Sequence, residues 1–134
     1  MTSSIKSYRD LRVWQLALDL APEVYKLARS LPRHEQYGLA DQMRRAVVSV
    51  PANIAEGQAR RHRREFLRYL SIARGSLAEL ETLLVLAERL KYLNAENLRV
   101  MERTIAGVRM PLAGLMNRLR SSEPSPKPPL DHRQ

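Results

Sequence analysis

The sequence predicts an all-α protein, an antiparallel up-down-up-down four-helix bundle. Three observations carry this: four segments whose apolar residues recur every three to four positions, connections of a few residues between them, and only 5 Gly in 134 residues. Side chains three and four apart share one helix face. Short connections make consecutive helices antiparallel neighbours, and so few glycines leave little material for turn-rich β architectures. With 44% hydrophobic and 28% charged residues, the chain can enclose one core and does not read as disordered.

In the first helix, Leu11, Trp14, Leu18, Ala21, Tyr25 and Ala28 recur at helical spacing, and Asp10 is placed to cap the free N–H groups of the first turn. The second helix covers about 36–56, with Leu39, Met43, Ala46, Val47, Val50 and Ile54 on one side and Gly57 at the position that often ends a helix. The third, about 62–91, has the most regular pattern: Phe66, Leu70, Ala73, Leu77, Leu80, Leu84 and Ala87. Asn94 can cap the fourth, which continues through Leu98, Met101, Ile105, Val108, Leu112, Leu115 and Leu119. An apolar repeat near 3.5 residues is the seam of helices crossing at about 20°. The expected organisation is an N-terminal extension over 1–9, a bundle over 10–120, and a flexible tail over 121–134 that holds four of the eight prolines. Pro22, Pro51 and Pro111 fall inside proposed helices, where each removes one hydrogen bond and calls for a bend or, at Pro51 above all, a split.

The apolar surface exceeds what one bundle needs. The first helix has a second strip, Val13, Ala17, Leu20, Val24, Leu27 and Leu31; Tyr37, Ala40, Val48 and Ala55 flank the second seam, and Tyr69, Ile72, Leu83 and Leu90 the third. Either the core stripes are wide or the strips meet a partner. The reading favoured is a homo-oligomer whose interface uses Val13, Leu20, Val24, Leu27, Tyr37, Val48, Tyr69, Ile72 and Leu83, with Arg44 in an interface ion pair.

The net charge is +9, from 23 basic and 14 acidic residues. Between Arg44 and Arg74 stand eight Arg against Glu56 and Glu65, which leaves +6 in that stretch. Arg60, Arg64 and Arg68 share one helix face, where like charges repel, and several of these Arg crowd a helix N-terminus, where the macrodipole disfavours cations. A cluster held against both effects suits an anionic partner, and the guanidinium fork matches phosphate oxygens. Expected nucleic-acid contacts are Arg60, Arg61, Arg63, Arg64 and Arg68, with Arg45 and Arg74 as extensions. In a hairpin centred near Ala59, Arg45 and Arg74 sit at a similar level and draw the charge into a stripe. Aromatics are sparse among these residues, so sequence-independent backbone contact is expected rather than base stacking. The rival readings are a solvated charged face and a scaffold that binds another protein.

Other chemistry finds no foothold. There is no Cys, hence no disulfide, thiolate metal site or Cys nucleophile. His34, His62 and His132 match no metal-ligand spacing, and Glu79 and Glu81, two apart, diverge by about 200° on a helix. No catalytic residue, cofactor or metal site is expected. No apolar run approaches the roughly 20 residues of a membrane span and no signal-peptide core is evident, so a soluble, cytoplasmic protein is the expectation.

Several blocks taken together resemble a known family. They are Tyr8-Arg9-Asp10-Leu11-Arg12-Val13-Trp14-Gln15, Tyr37-Gly38-Leu39, Gln42-Met43-Arg44-Arg45-Ala46 and, most specifically, Ser49-Val50-Pro51-Ala52-Asn53-Ile54-Ala55-Glu56-Gly57. The likeness continues in Phe66-Leu67-Arg68-Tyr69-Leu70 and Gly75-Ser76-Leu77-Ala78-Glu79-Leu80-Glu81, and departs from the family pattern at Arg109-Met110-Pro111-Leu112. The chain is similar, over about 5–120, to the four-helix-bundle proteins encoded within intervening sequences of bacterial 23S ribosomal RNA genes. These are related to the accessory variability determinant of diversity-generating retroelements. The resemblance implies a homopentameric barrel without known enzymatic activity, and the retroelement relatives bind nucleic acid and a reverse transcriptase through a basic surface.

Overall fold

The computed structural model describes residues 7–122. A 3-10 turn at Tyr8–Asp10 leads into α1 (Arg12–Arg29), and a second at Arg33–Glu35 into α2 (Leu39–Ala59); α3 (Arg63–Arg89) and α4 (Ala95–Ser121) follow. Helices adjacent in sequence are adjacent in space, and α4 closes the bundle against α1. On α2 and α3, Ser49 Oγ lies 2.7 Å from Ser76 Oγ, while Gly57 faces Tyr69; the partner numbers fall as the first numbers rise, so the pair is antiparallel. The last residue of the expected bundle is passed by one, since Ser121 is helical and Ser122 is its C-cap, and the rest of the expected tail, 123–134, lies outside the described residues.

The seams expected on α2 and α3 are buried almost in full, from Leu39 to Ile54 and from Leu70 to Ala87. On α4, Met101, Ile105, Val108 and Leu112 are buried, but the seam then steps four residues to Met116, with Leu115 half-buried. The true helical period of 3.6 carries a 3.5 pattern around the helix over several turns.

On α1 the expectation holds at the two ends of the seam, where Leu11 and Ala28 are buried, and is reversed between them. Val13, Leu20 and Val24, expected at an oligomer interface, are buried in the protomer core with Ala17, while Leu18 and Tyr25 are exposed and Trp14 and Ala21 half-buried. The buried stripe carries Ala17, whose small side chain lets the neighbouring helices close in, whereas the middle of the other carries Trp14 and Tyr25, large rings with a polar atom that tolerate water. Leu83 is likewise buried, and Leu27 packs against the core edge.

Local signals were also redistributed. Asp10 does not cap α1: it closes a capping box with Ser7, accepting the Ser7 N–H at 3.2 Å, and Leu11 is the N-cap of α1 with no side-chain bond. Asn94 does cap α4, accepting the Asn97 N–H at 2.7 Å. Gly57 is inside α2 rather than past its end, and Arg61, at φ 61°, takes the left-handed position after it. Pro22, Pro51 and Pro111 all sit within unbroken helices, so the split at Pro51 does not occur. Pro22 is on the solvent side, where the Leu18 carbonyl it leaves unbonded can turn to water.

Candidate nucleic-acid interface

Three chain segments converge at one end of the bundle. The α2–α3 turn supplies Arg60, Arg61 and His62; α3 begins there with Arg63 and Arg64; α4 ends there with Arg118 and Arg120 in its last turn. Arg63 Nη1 donates to the Ser122 carbonyl at 3.4 Å, joining the start of α3 to the end of α4. The start of α1 completes the cluster, since Arg12 and Arg118 line one depression with Asp10, Leu11, Val13, Pro111 and Leu115. Beside it opens a cavity of about 690 Å³ lined by Leu11, Gly57, Gln58, Arg61, His62, Arg63, Phe66, Leu115 and Leu119. Its floor is apolar and its rim basic.

Among the described residues, three carboxylates near this end are engaged locally. Glu56 accepts from Arg60 at 2.9 Å, Glu65 stands 3.8 Å from Arg68, and Asp10 accepts from Ser7. Arg60 also donates to the Tyr69 hydroxyl at 3.0 Å. Both Arg60 and Arg68 lie over the Tyr69 ring, 5.3 and 5.1 Å from its centroid, within the range of cation–π attraction. The hydrogen bond to Glu56, then the field of Tyr69, raise the Arg60 pKa above its ordinary value. Arg61, Arg64 and Arg74 have no side-chain ion pair or hydrogen bond among the described residues.

The seven expected Arg contacts therefore divide. Arg60, Arg61, Arg63 and Arg64 gather at the bundle end, and Arg68 lies one turn further along α3. Arg45 and Arg74 do not extend this cluster at a common level. Since Ser49 is level with Ser76, Arg45 stands opposite Leu80, about six residues or roughly 9 Å along the axis from Arg74. The sequence hairpin was centred near Ala59, but the turn itself lies between Arg60 and His62, which shifts the register. Arg45 is also held by Asp41 at 2.9 Å on its own helix. Arg44, expected in an interface ion pair, donates within the protomer to the Gln36 side-chain oxygen at 2.5 Å and to the Gln36 carbonyl at 3.2 Å. Arg12, Arg118 and Arg120 were missed because they are far from the α2–α3 turn in sequence. The available signal was the up-down topology itself, which brings the start of the first helix and the end of the fourth beside the second hairpin turn.

A profile of the family described as 23S rRNA-intervening sequence protein matches residues 9–114. The chain belongs to that family. The match spans all of α1, α2 and α3 and most of α4. The 23S rRNA-intervening sequence protein fold is similar to a crystal structure from Bacteroides thetaiotaomicron of a protein with unknown function from the S23 ribosomal protein family. The TM-score is 0.72 at 24% identity, covering 78% of this chain and 97% of that one. Among curated proteins, none matches the chain. Among the described residues no group of three or more His, Cys, Asp or Glu is placed to hold a metal ion, and no helix is long and apolar enough to cross a membrane.

Proposed function

We propose that this 23S rRNA-intervening sequence protein is a non-enzymatic, oligomeric bundle that binds RNA or DNA backbone electrostatically through the Arg-rich end. The observation that carries the reading is the convergence of Arg12, Arg61, Arg63, Arg64 and Arg118 from three segments at one end, where Asp10, Glu56 and Glu65 already have other partners. Cations gathered from distant parts of a chain raise the local potential well beyond that of a single helix face. Arg61 and Arg64 are the leading contacts, because Arg60 and Arg68 are tied to Glu56, Glu65 and Tyr69.

Self-association is supported by apolar side chains that the protomer leaves in water: Leu18 and Tyr25 on α1, Tyr37 (98% exposed) in the turn before α2, Val48 on α2, and Ile72 on α3. Leu18 and Tyr25 are seven apart and share a face. A pentamer is the stoichiometry the family resemblance implies. Burial of Tyr37 and Val48 between copies would leave the Arg-rich end open on the assembled particle.

Fluorescence anisotropy with unrelated RNA and DNA duplexes at rising salt tests the reading. Each phosphate neutralised gives a log–log slope of roughly −0.7 to −0.9, so the affinity falls steeply. Arg61→Gln with Arg64→Gln flattens the slope, while Arg45→Gln changes it little. A salt-independent affinity, or full binding by the Arg61/Arg64 double variant, overturns it. Pull-down from nuclease-treated lysate separates the rival, a protein-binding scaffold.

A further inference from the structure

The basic end holds more than charge. Its cavity of about 690 Å³ has Phe66, Leu115 and Leu119 in its floor, with Arg61, His62 and Arg63 on its rim. That volume falls within the roughly 300–1,000 Å³ of pockets that enclose drug-sized ligands. Apolar side chains at the centre of a phosphate-binding surface contribute nothing to backbone contact, which needs only donors and positive charge. They do suit a flat, weakly polar body carried by the same anionic chain. Phe66 supplies an aromatic wall, and α3 starts at this rim with no side chain capping its first turn, so its N-terminal dipole adds to the attraction for phosphate.

Resting on the nucleic-acid reading above, we infer that the cavity takes one unstacked nucleotide of a single strand, its base against Phe66 and its phosphate on the Arg61–Arg63 rim. Charge complementarity selects this occupant over an uncharged apolar segment. A base held in a duplex cannot enter without unpairing, so the inference makes the protein prefer single strands, although a duplex carries the higher charge density and the stronger electrostatic pull.

The test uses the full chain and a short RNA carrying 2-aminopurine, free and annealed to its complement. Single-strand affinity is expected to exceed that for the duplex by about tenfold, within the range of one base stacked on an aromatic ring, with 2-aminopurine quenched on binding. Leu119→Trp fills the cavity without removing a charge. It is expected to abolish the preference and the quenching while leaving duplex affinity and helical content unchanged. Equal or tighter duplex binding, or a 2-aminopurine that stays bright in the bound strand, overturns the inference and leaves the cavity to another occupant, with the electrostatic reading intact. Quenching that survives in Leu119→Trp overturns it too. Failure to bind either form at low salt overturns both readings.

Discussion

Gly57 and Tyr69 come so close across the α2–α3 hairpin that a β-carbon built on Gly57 would lie 2.7 Å from Tyr69 Cβ. It would also meet Phe66 Cδ1 at 3.1 Å and the Phe66 carbonyl at 3.3 Å. None of these atoms except the ring carbon can swing aside, because the others belong to the α3 backbone or sit one bond from it. Glycine is thus kept inside a helix, at an intrinsic cost of about 1 kcal/mol relative to Ala, to let two helices touch beside the basic end. Gly57→Ala is expected to lose up to about 2 kcal/mol net, because overpacking costs roughly 1–3 kcal/mol against the about 1 kcal/mol that Ala gains in a helix. Gly75, inside α3, has nothing within 4 Å of a built β-carbon, and Gly75→Ala should gain up to about 1 kcal/mol. Urea unfolding of the two variants checks the pair, and equal effects would refute the packing argument.

The choice of face on α1 can be tested by placing one charge on each stripe. Val24 is buried and Leu18 exposed. Val24→Glu leaves an unpaired carboxylate in the core and is expected to cost about 3–5 kcal/mol, enough to unfold a marginal domain. Leu18→Glu should keep the helical circular-dichroism signal and reduce the mass seen by native mass spectrometry. Loss of folding in both would mean that the α1 surface is core after all.

Arg61 adopts φ 61°, a backbone region that costs a residue with a β-carbon about 1–2 kcal/mol. Arg61→Gly removes that strain and the charge together, whereas Arg61→Ala removes the charge alone. Nucleic-acid affinity is expected to fall equally in both, while the thermal midpoint of Arg61→Gly exceeds that of Arg61→Ala. A glycine variant that binds like the parent would show that the guanidinium has no contact role and that Arg stands there by chance.

At the opposite end, Tyr92 donates its hydroxyl to Glu35 at 3.1 Å and lies 3.2 Å from His34 Nε2, clasping the α1–α2 loop to the α3–α4 turn. Partial burial, then the bond to Glu35, raise the Tyr92 pKa above the ordinary value of 10.0. A phenol held neutral in the fold but free to ionise in the unfolded chain stabilises the fold fully below pH 10. That contribution is lost as pH rises through the folded-state value. The parent should therefore lose stability above about pH 10 faster than Tyr92→Phe, which is the less stable of the two near pH 7. Parallel pH profiles in thermal melts would count against the clasp.

Much of the fold was legible because its signals are local. The stripes of α2 and α3, the Asn94 cap and the short connections each depend on residues within a few positions of one another, where helix geometry alone decides what shares a face. The Arg cluster at the α2–α3 turn was legible for the same reason. The failures share a cause as well. Asp10 had two backbone partners within reach, and the sequence does not rank a 3-10 turn against an α-helix start. Gly57 fits either a helix end or a close crossing, and only the presence of Tyr69 opposite distinguishes them.

The amino-acid order by itself determined that this chain is four amphipathic helices with a strongly basic second hairpin turn, because 3.6-residue periodicity and charge density are properties of short windows. It did not determine which of the two apolar strips on α1 faces inward, the register that separates Arg45 from Arg74, or the meeting of Arg12, Arg63 and Arg118 at one end of the bundle. Those were decided by packing: burial energy depends on which surfaces close without gaps, and that is a property of pairs of helices, never of one.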